Sequence, residues 1–166
     1  MSDPIRLHAE MTEWRRHLHA HPEFGFEETA TSTFVAKKLR EFGLDDVAEG
    51  IGGTGVVGTL KRGNGNRSIA LRADMDALRI TEQGNRSYKS ENPGVMHACG
   101  HDGHTAMLLG AAKLLAEEGG FNGTVRFVFQ PWWRRLSSAA SSPASTFPCD
   151  FASAALMASI AGRVAI

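Results

Sequence analysis

Apolar positions recur along this chain at helical and strand periods as far as Pro131, and both periods are then lost. Ile5, Leu7, Met11, Trp14 and Leu18 predict a first helix over Ile5–Ala20, stopped by Pro22. Phe26-Glu27-Glu28-Thr29 opens a second predicted helix, with acidic groups suited to the positive end of its dipole. Thr31, Val35, Leu39 and Phe42 follow at helical spacing, and Gly43 is its stop. Two apolar runs, Val56–Leu60 and Ser68–Ala73, read as strands joined by the turn-forming Arg62–Asn66, hence as a hairpin. The second run is apolar enough to be a central strand. Residues Glu82–Asn92 read as a loop. From His104, Met107, Leu108, Ala111, Leu114 and Leu115 mark a helix with one buried face, ended by Gly119-Gly120. Thr124–Phe129, rich in β-branched and aromatic residues, is the clearest strand. Trp132–Thr146 contains no Asp, Glu, Gly, Val or Ile and has no period; Phe151–Ile160 is an Ala-rich run that suits a short helix.

Composition narrows the class. A chain of 166 residues with 42% hydrophobic and 22% charged positions suits one folded domain and excludes wholesale disorder. Eighteen basic and eighteen acidic residues cancel, so no nucleic-acid partner is expected. Two cysteines, Cys99 and Cys149, are too few for a disulfide scaffold. No apolar run approaches the roughly 20 residues of a membrane span, and Met1–His21 has no apolar core of a signal peptide. The expectation is a cytoplasmic chain with no membrane partner.

The chemistry gathers in two places. Asp74-Met75-Asp76 puts two carboxylates on one side of the chain at the carboxyl end of a strand, where α/β enzymes place their reactive groups. Met96–His104 packs one thiol, one carboxylate and three imidazoles into nine residues directly before a helix. Cys99 and His101 are close enough to ligate neighbouring positions of a metal ion, and Gly100 and Gly103 let the backbone turn tightly around it. His104 is a further ligand or an outer partner, and Asp102 or Asp76 would hold a ligand imidazole by its second nitrogen. The alternatives for Cys99 are a plain buried thiol or a nucleophile paired with a histidine. His17, His19 and His21 alternate, which puts them on different helix faces, so packing or surface roles are expected. Gly52-Gly53-Thr54-Gly55 has the wrong spacing for a phosphate loop.

These motifs carry a resemblance. Arg15-Arg16-His17-Leu18-His19 with His21-Pro22-Glu23, Ala70–Leu78, Met96–His104 and Phe127–Pro131 resemble, in order and spacing, the N-terminal part of an amidohydrolase family. That family includes hippurate hydrolases, N-acyl-amino-acid hydrolases and indole-acetyl-amino-acid hydrolases, related to aminoacylases and carboxypeptidase-G-like metallopeptidases. The resemblance implies an α/β catalytic domain of zinc-aminopeptidase type, a mixed sheet flanked by helices, interrupted in the family by a lid domain. It implies a pair of divalent ions, zinc or manganese, and a bridging water that attacks the amide of an N-acyl amino acid. Cys99 and His101 match two metal ligands, and Asp76 matches the catalytic acidic residue that supports the site from behind.

The match then breaks. Where the family has a general-base Glu followed by a ligand Glu, this chain has Trp133 and Arg134. An indole accepts no proton, and a guanidinium repels a cation. The later His ligands, the lid domain and the C-terminal part have no counterpart. The expectation is residues 1–131 as the N-terminal part of a metallohydrolase domain and 132–166 as an aberrant, poorly ordered tail. Its Ser/Ala/Arg/Trp/Pro bias fits GC-rich DNA read out of frame from near codon 132, with a return near 147. Three readings stay open: a truncated, inactive amidohydrolase holding a metal weakly; a non-catalytic metal-binding or protein-interaction remnant; and a functionless fragment that self-associates or aggregates through an unpaired sheet edge.

Overall fold

The computed structural model describes residues 3–132. Asp3 caps the first helix, α1 (Pro4–Ala20), by accepting from the Ile5 amide at 3.0 Å, and Pro4 sits in the first turn, where no amide hydrogen is needed. The helix ends at Ala20, where the His21 amide closes back on His17 and Leu18.

The second helix, α2, starts at Thr29 rather than Phe26 and runs to Glu41. Phe26 has φ 64°, which a helix cannot contain. Neither Glu27 nor Glu28 caps the helix. That role belongs to Glu23, whose carboxylate accepts from the Ala30 and Thr31 amides at 3.1 and 2.7 Å and from the Thr29 hydroxyl at 3.3 Å. Glu28 is instead fully buried, accepting from the Thr54 hydroxyl at 2.7 Å and the Trp132 amide at 3.0 Å.

Four strands form one mixed sheet: β1 (Asp46–Ile51), β2 (Gly55–Arg62), β3 (Ser68–Asp74) and β4 (Gly123–Gln130), in the order β1-β2-β4-β3. The expected hairpin of β2 with β3 does not form. β2 turns back on β1, through the Gly52–Thr54 turn, and β4 lies between β2 and β3. The Arg62–Asn66 turn is therefore a crossing over the end of β4, held by Asn122, whose side-chain oxygen accepts from the Asn64 and Gly65 amides. β4 is the central strand: Val125, Phe127, Val128 and Phe129 are all buried. It runs antiparallel to β2 and parallel to β3.

Among the described residues β3 is an edge strand rather than a central one. Arg67 and Met75, at its two ends, both bond to β4, so the odd positions face β4. Ser68, Ala70, Arg72 and Asp74 then point their backbone groups to the other edge.

The third helix, α3 (His101–Glu118), packs on α1 and β3. Its approach to α1 depends on Gly110, where a Cβ would lie 2.5 Å from the Met11 sulfur. A Lys113–Glu10 ion pair also joins the two helices. Trp14, Leu39, Leu60, Leu109, Phe127 and Phe129 form the centre of one core between the sheet and the helices. The result is an α/β mixed sheet with helices packed against it, as expected, and it brings the carboxyl end of β3 against the first turn of α3.

Candidate metal centre

Three local devices build the site. β3 delivers Asp74 and, one step past the buried Met75, Asp76. Gly100, with φ 80°, turns the chain into α3 in a conformation that side-chain-bearing residues rarely adopt. His101 and His104 then lie three apart on the first helical turn, hence on one face. Thr105 fastens the two elements by donating its hydroxyl to the Asp74 carbonyl at 3.0 Å.

His101 is held from behind. Its Nδ1 lies 3.0 Å from Asp76 Oδ1 and 2.9 Å from the Asp76 carbonyl oxygen. Both are acceptors, so Nδ1 carries the hydrogen and donates. Nε2 is left with its lone pair turned toward Asp74 Oδ2, 3.6 Å away. A carboxylate that fixes the far nitrogen of an imidazole is the arrangement that prepares a histidine to bind a metal. Of the two carboxylates weighed for this role, Asp76 makes the contact, and Asp102 points elsewhere.

Asp74 stands at the centre of the remaining contacts. His104 Nδ1 donates to its Oδ1 at 2.7 Å, and Arg72 pairs with its Oδ2 at 3.2 Å. Burial works against its charge, but the His104 hydrogen bond, the His101 ring and Arg72 together hold its carboxyl below the usual value of 3.8. One donor atom each from Asp74, His101 and His104 lies within 4.8 Å of the others. Cys99, two residues before His101, is a free, exposed thiol outside this group. A groove of about 480 Å³ runs beside the cluster between β3 and α3, walled by Leu71, Ala73, Leu108 and Ala111.

A second cluster lies on the other side of α3. Asp102 accepts from His19 Nδ1 at 2.8 Å and from Arg15 Nε at 3.2 Å. His19 Nε2 faces Glu82 at 3.4 Å, and Glu82 accepts from the Ser90 amide at 2.8 Å. That amide bond is the leading influence holding the Glu82 carboxyl below its usual value of 4.5, against burial, with His19 adding to it. His19 is thus a packing histidine, whereas His17 packs its ring, tilted, against Phe34 and His21. His97 is buried nearby. Burial pushes its pKa down to about 4, and His19 and His101 add to the effect, while Asp102 opposes it.

Glu82 carries no mark in its loop sequence, and of the strand-end pair Asp74 and Asp76 only Asp76 has an expected role. The usable signals were the Asp-x-Asp spacing at the strand end and the His-x-x-His spacing on α3. Trp133 and Arg134 lie outside the described residues.

Comparison with known proteins matches this geometry to a family. Residues 70–132 match the model of peptidase family M20/M25/M40. This part of the chain resembles the M20 peptidases. Hippurate hydrolase of Campylobacter jejuni is 54% identical over 127 residues, which are 76% of this chain and 33% of that protein. An N-acyl-L-amino acid amidohydrolase of Geobacillus stearothermophilus is 50% identical over 118 residues, 70% of this chain and 32% of that one. The crystal structure of a dinuclear metal-binding M20 peptidase from Bacillus subtilis superposes with a TM-score of 0.72 at 42% identity, over 76% of this chain and 36% of the other. The chain thus spans about a third of the length of its curated M20 relatives, and its sheet and helices are part of their fold.

Proposed function

We propose that this chain carries the metal-gripping part of an M20 amidohydrolase site directed at N-acyl amino acids, and that it binds a divalent ion without turning substrate over. Cys99 and His101 are the ligands in this reading, zinc or manganese the ion, and Asp76 the residue that keeps His101 presented. The observation that carries it is the His101–Asp76 contact at 3.0 Å, which leaves Nε2 free. The residues at the strand end and helix start therefore fit a metal. When bound, such an ion polarises an amide carbonyl and acidifies water.

What the chain's own residues do is narrower. Asp76 fixes the His101 tautomer, Thr105 ties α3 to β3, and the groove beside Leu71 and Leu108 offers an apolar wall to an acyl group. Where the resemblance places two glutamates after Pro131, this chain has Trp133 and Arg134, and neither side chain can serve as the proton acceptor there. Loss of a general base alone removes roughly 10²–10⁴ in rate. The frame-slip account of residues 132–146 supports this reading. Translation of the other frames should return Glu-Glu-Gly-Gly after Pro131, and their absence from every frame would refute that account.

The test is metal content and hydrolysis measured together on the purified chain. We expect bound zinc or manganese, lost with Cys99→Ser or His101→Ala, and no cleavage of hippurate above a metal-free control. Chelator-sensitive cleavage would overturn the non-catalytic part. We place the chain in the cytoplasm; no helix among the described residues is long and apolar enough to cross a membrane.

A second reading, self-association, draws on the β3 edge, where Ile69 is 57% exposed, and on α3, where Met107 is 55% exposed. Light scattering that shows no rise in mass with concentration would remove it.

A further inference from the structure

The Cys99–His101 reading leaves Asp74 and His104 without a task, yet they are the side chains that face the free nitrogen of His101. We infer that Asp74 and His104 complete, with His101, a three-donor seat for one divalent cation, and that Arg72 competes with the ion for Asp74. The inference rests on the reading of His101 as a ligand.

The geometry supports a shared ion. Two ligands held about 2.1 Å from a tetrahedral ion lie about 3.4 Å apart. His101 Nε2 and Asp74 Oδ2 are 3.6 Å apart, so an ion fits between them with almost no movement. His104 Nδ1 and Asp74 Oδ1 are 2.7 Å apart, a hydrogen bond that has to open by less than about 1 Å. Ligation through Nδ1 moves the ring proton of His104 to Nε2. Solvent reaches that ring, since the side chain is 49% exposed. The three donors leave one tetrahedral position open for the Cys99 thiol of the proposed pair. One carboxylate and two imidazoles form a donor set that suits zinc and tolerates manganese.

The opposing charges are also visible. The Arg72 guanidinium sits 3.2 Å from Asp74 Oδ2, and the first turn of α3 presents its positive end. Arg72 has another partner in Gln130 Oε1, which accepts from its Nε at 3.0 Å, so it can release Asp74 without losing every contact. Binding is therefore weakened by Arg72, and removing that guanidinium should tighten it. A purely structural role for the Asp74–Arg72 pair predicts no such gain.

The experiment uses the whole 166-residue chain, stripped with a chelator and titrated with Zn²⁺ by calorimetry and with Co²⁺ by absorbance. One ion per chain is expected. Asp74→Asn and His104→Ala should each weaken binding by at least about tenfold, and Arg72→Gln should strengthen it several-fold. His104 is half exposed, so its variant should melt with the parent and decides the matter if Asp74→Asn unfolds. Binding by both variants within about twofold of the parent, with His101→Ala unable to bind, would overturn this inference and leave the proposed function standing. A folded parent that takes up neither ion would overturn both.

Discussion

His101 and Asp102 are neighbours on the first turn of α3, yet they serve clusters of opposite character. On one side, His101 has one nitrogen tied to Asp76 and the other unclaimed, with Asp74 and His104 opposite it. On the other side, His19 has a carboxylate at each nitrogen, and Arg15 and the Ser90 amide take further acceptor capacity of Asp102 and Glu82. The residue types are the same, histidine and acid, and the distances are similar. What differs is where the spare acceptor capacity lies: Asp102 Oδ1 and the His97 ring nitrogens are sealed away without partners, whereas His101 Nε2 sits at a partly exposed mouth. A buried set closed to solvent holds the fold together, whereas a lone pair at an accessible mouth can hold something else.

The sharpest way to break this contrast is Asp102→Ala. His19 is buried and loses its Asp102 partner on truncation, and the half-exposed Arg15 loses its inward contact to the same oxygen. Removing one partner of a buried ionic contact costs about 3–5 kcal/mol, enough to lower the melting temperature by roughly 10 °C in a chain of this size. His101→Ala, on the open side, should change melting by no more than about 2 °C in metal-free buffer. Equal losses in the two variants, read by thermal melts, would erase the distinction.

The closed side should also be the acid-sensitive one. Burial keeps His97 neutral down to about pH 4, whereas its ordinary value is 6.5. The unfolded chain therefore takes up a proton that the folded chain refuses. Stability is whole above pH 6.5 and falls as pH drops from 6.5 toward 4, by up to about 3 kcal/mol. Glu82 continues the trend lower: its folded pKa is depressed, so its contribution is present above 4.5 and is lost on further acidification. Denaturant melts at pH 7.5 and pH 5 should differ in the parent and converge in His97→Gln. Equal slopes against pH in both proteins would show that His97 does not carry the effect.

The contrast also sorts what was legible in the sequence. Elements with one strong period were read almost to the residue: α1, the body of α3 and β4. β1 leaves no such mark, because Asp46–Ile51 has no apolar alternation and is only partly buried. The β2–β3 hairpin failed because turn composition at Arg62–Asn66 says that the chain bends and not which strand it meets. β4 comes from 60 residues later, and its buried apolar run on both sides takes the central place. At the site, the metal-bearing loop and Asp76 were visible because their donors cluster in sequence. Glu23 and Glu82 were not, since their partners are 6 to 63 residues away. A carboxylate in a polar loop carries no mark of the amides it will meet.

The smallest effect expected is also the most specific. Asp76→Asn keeps the shape of the side chain behind His101 but exchanges a full negative charge for an amide. The amide oxygen still accepts from Nδ1, so the ring stays in place and stability should shift by less than about 1 kcal/mol. The histidine loses the charge that raises the basicity of Nε2, and affinity for Zn²⁺ should fall by about 10- to 100-fold. Asp102→Asn makes the same exchange one residue beyond His101 and should disturb melting more than metal binding. If the two asparagine variants lose zinc affinity to the same extent, the two sides of α3 are one electrostatic unit, and the division between a closed structural cluster and an open ligand-bearing one fails.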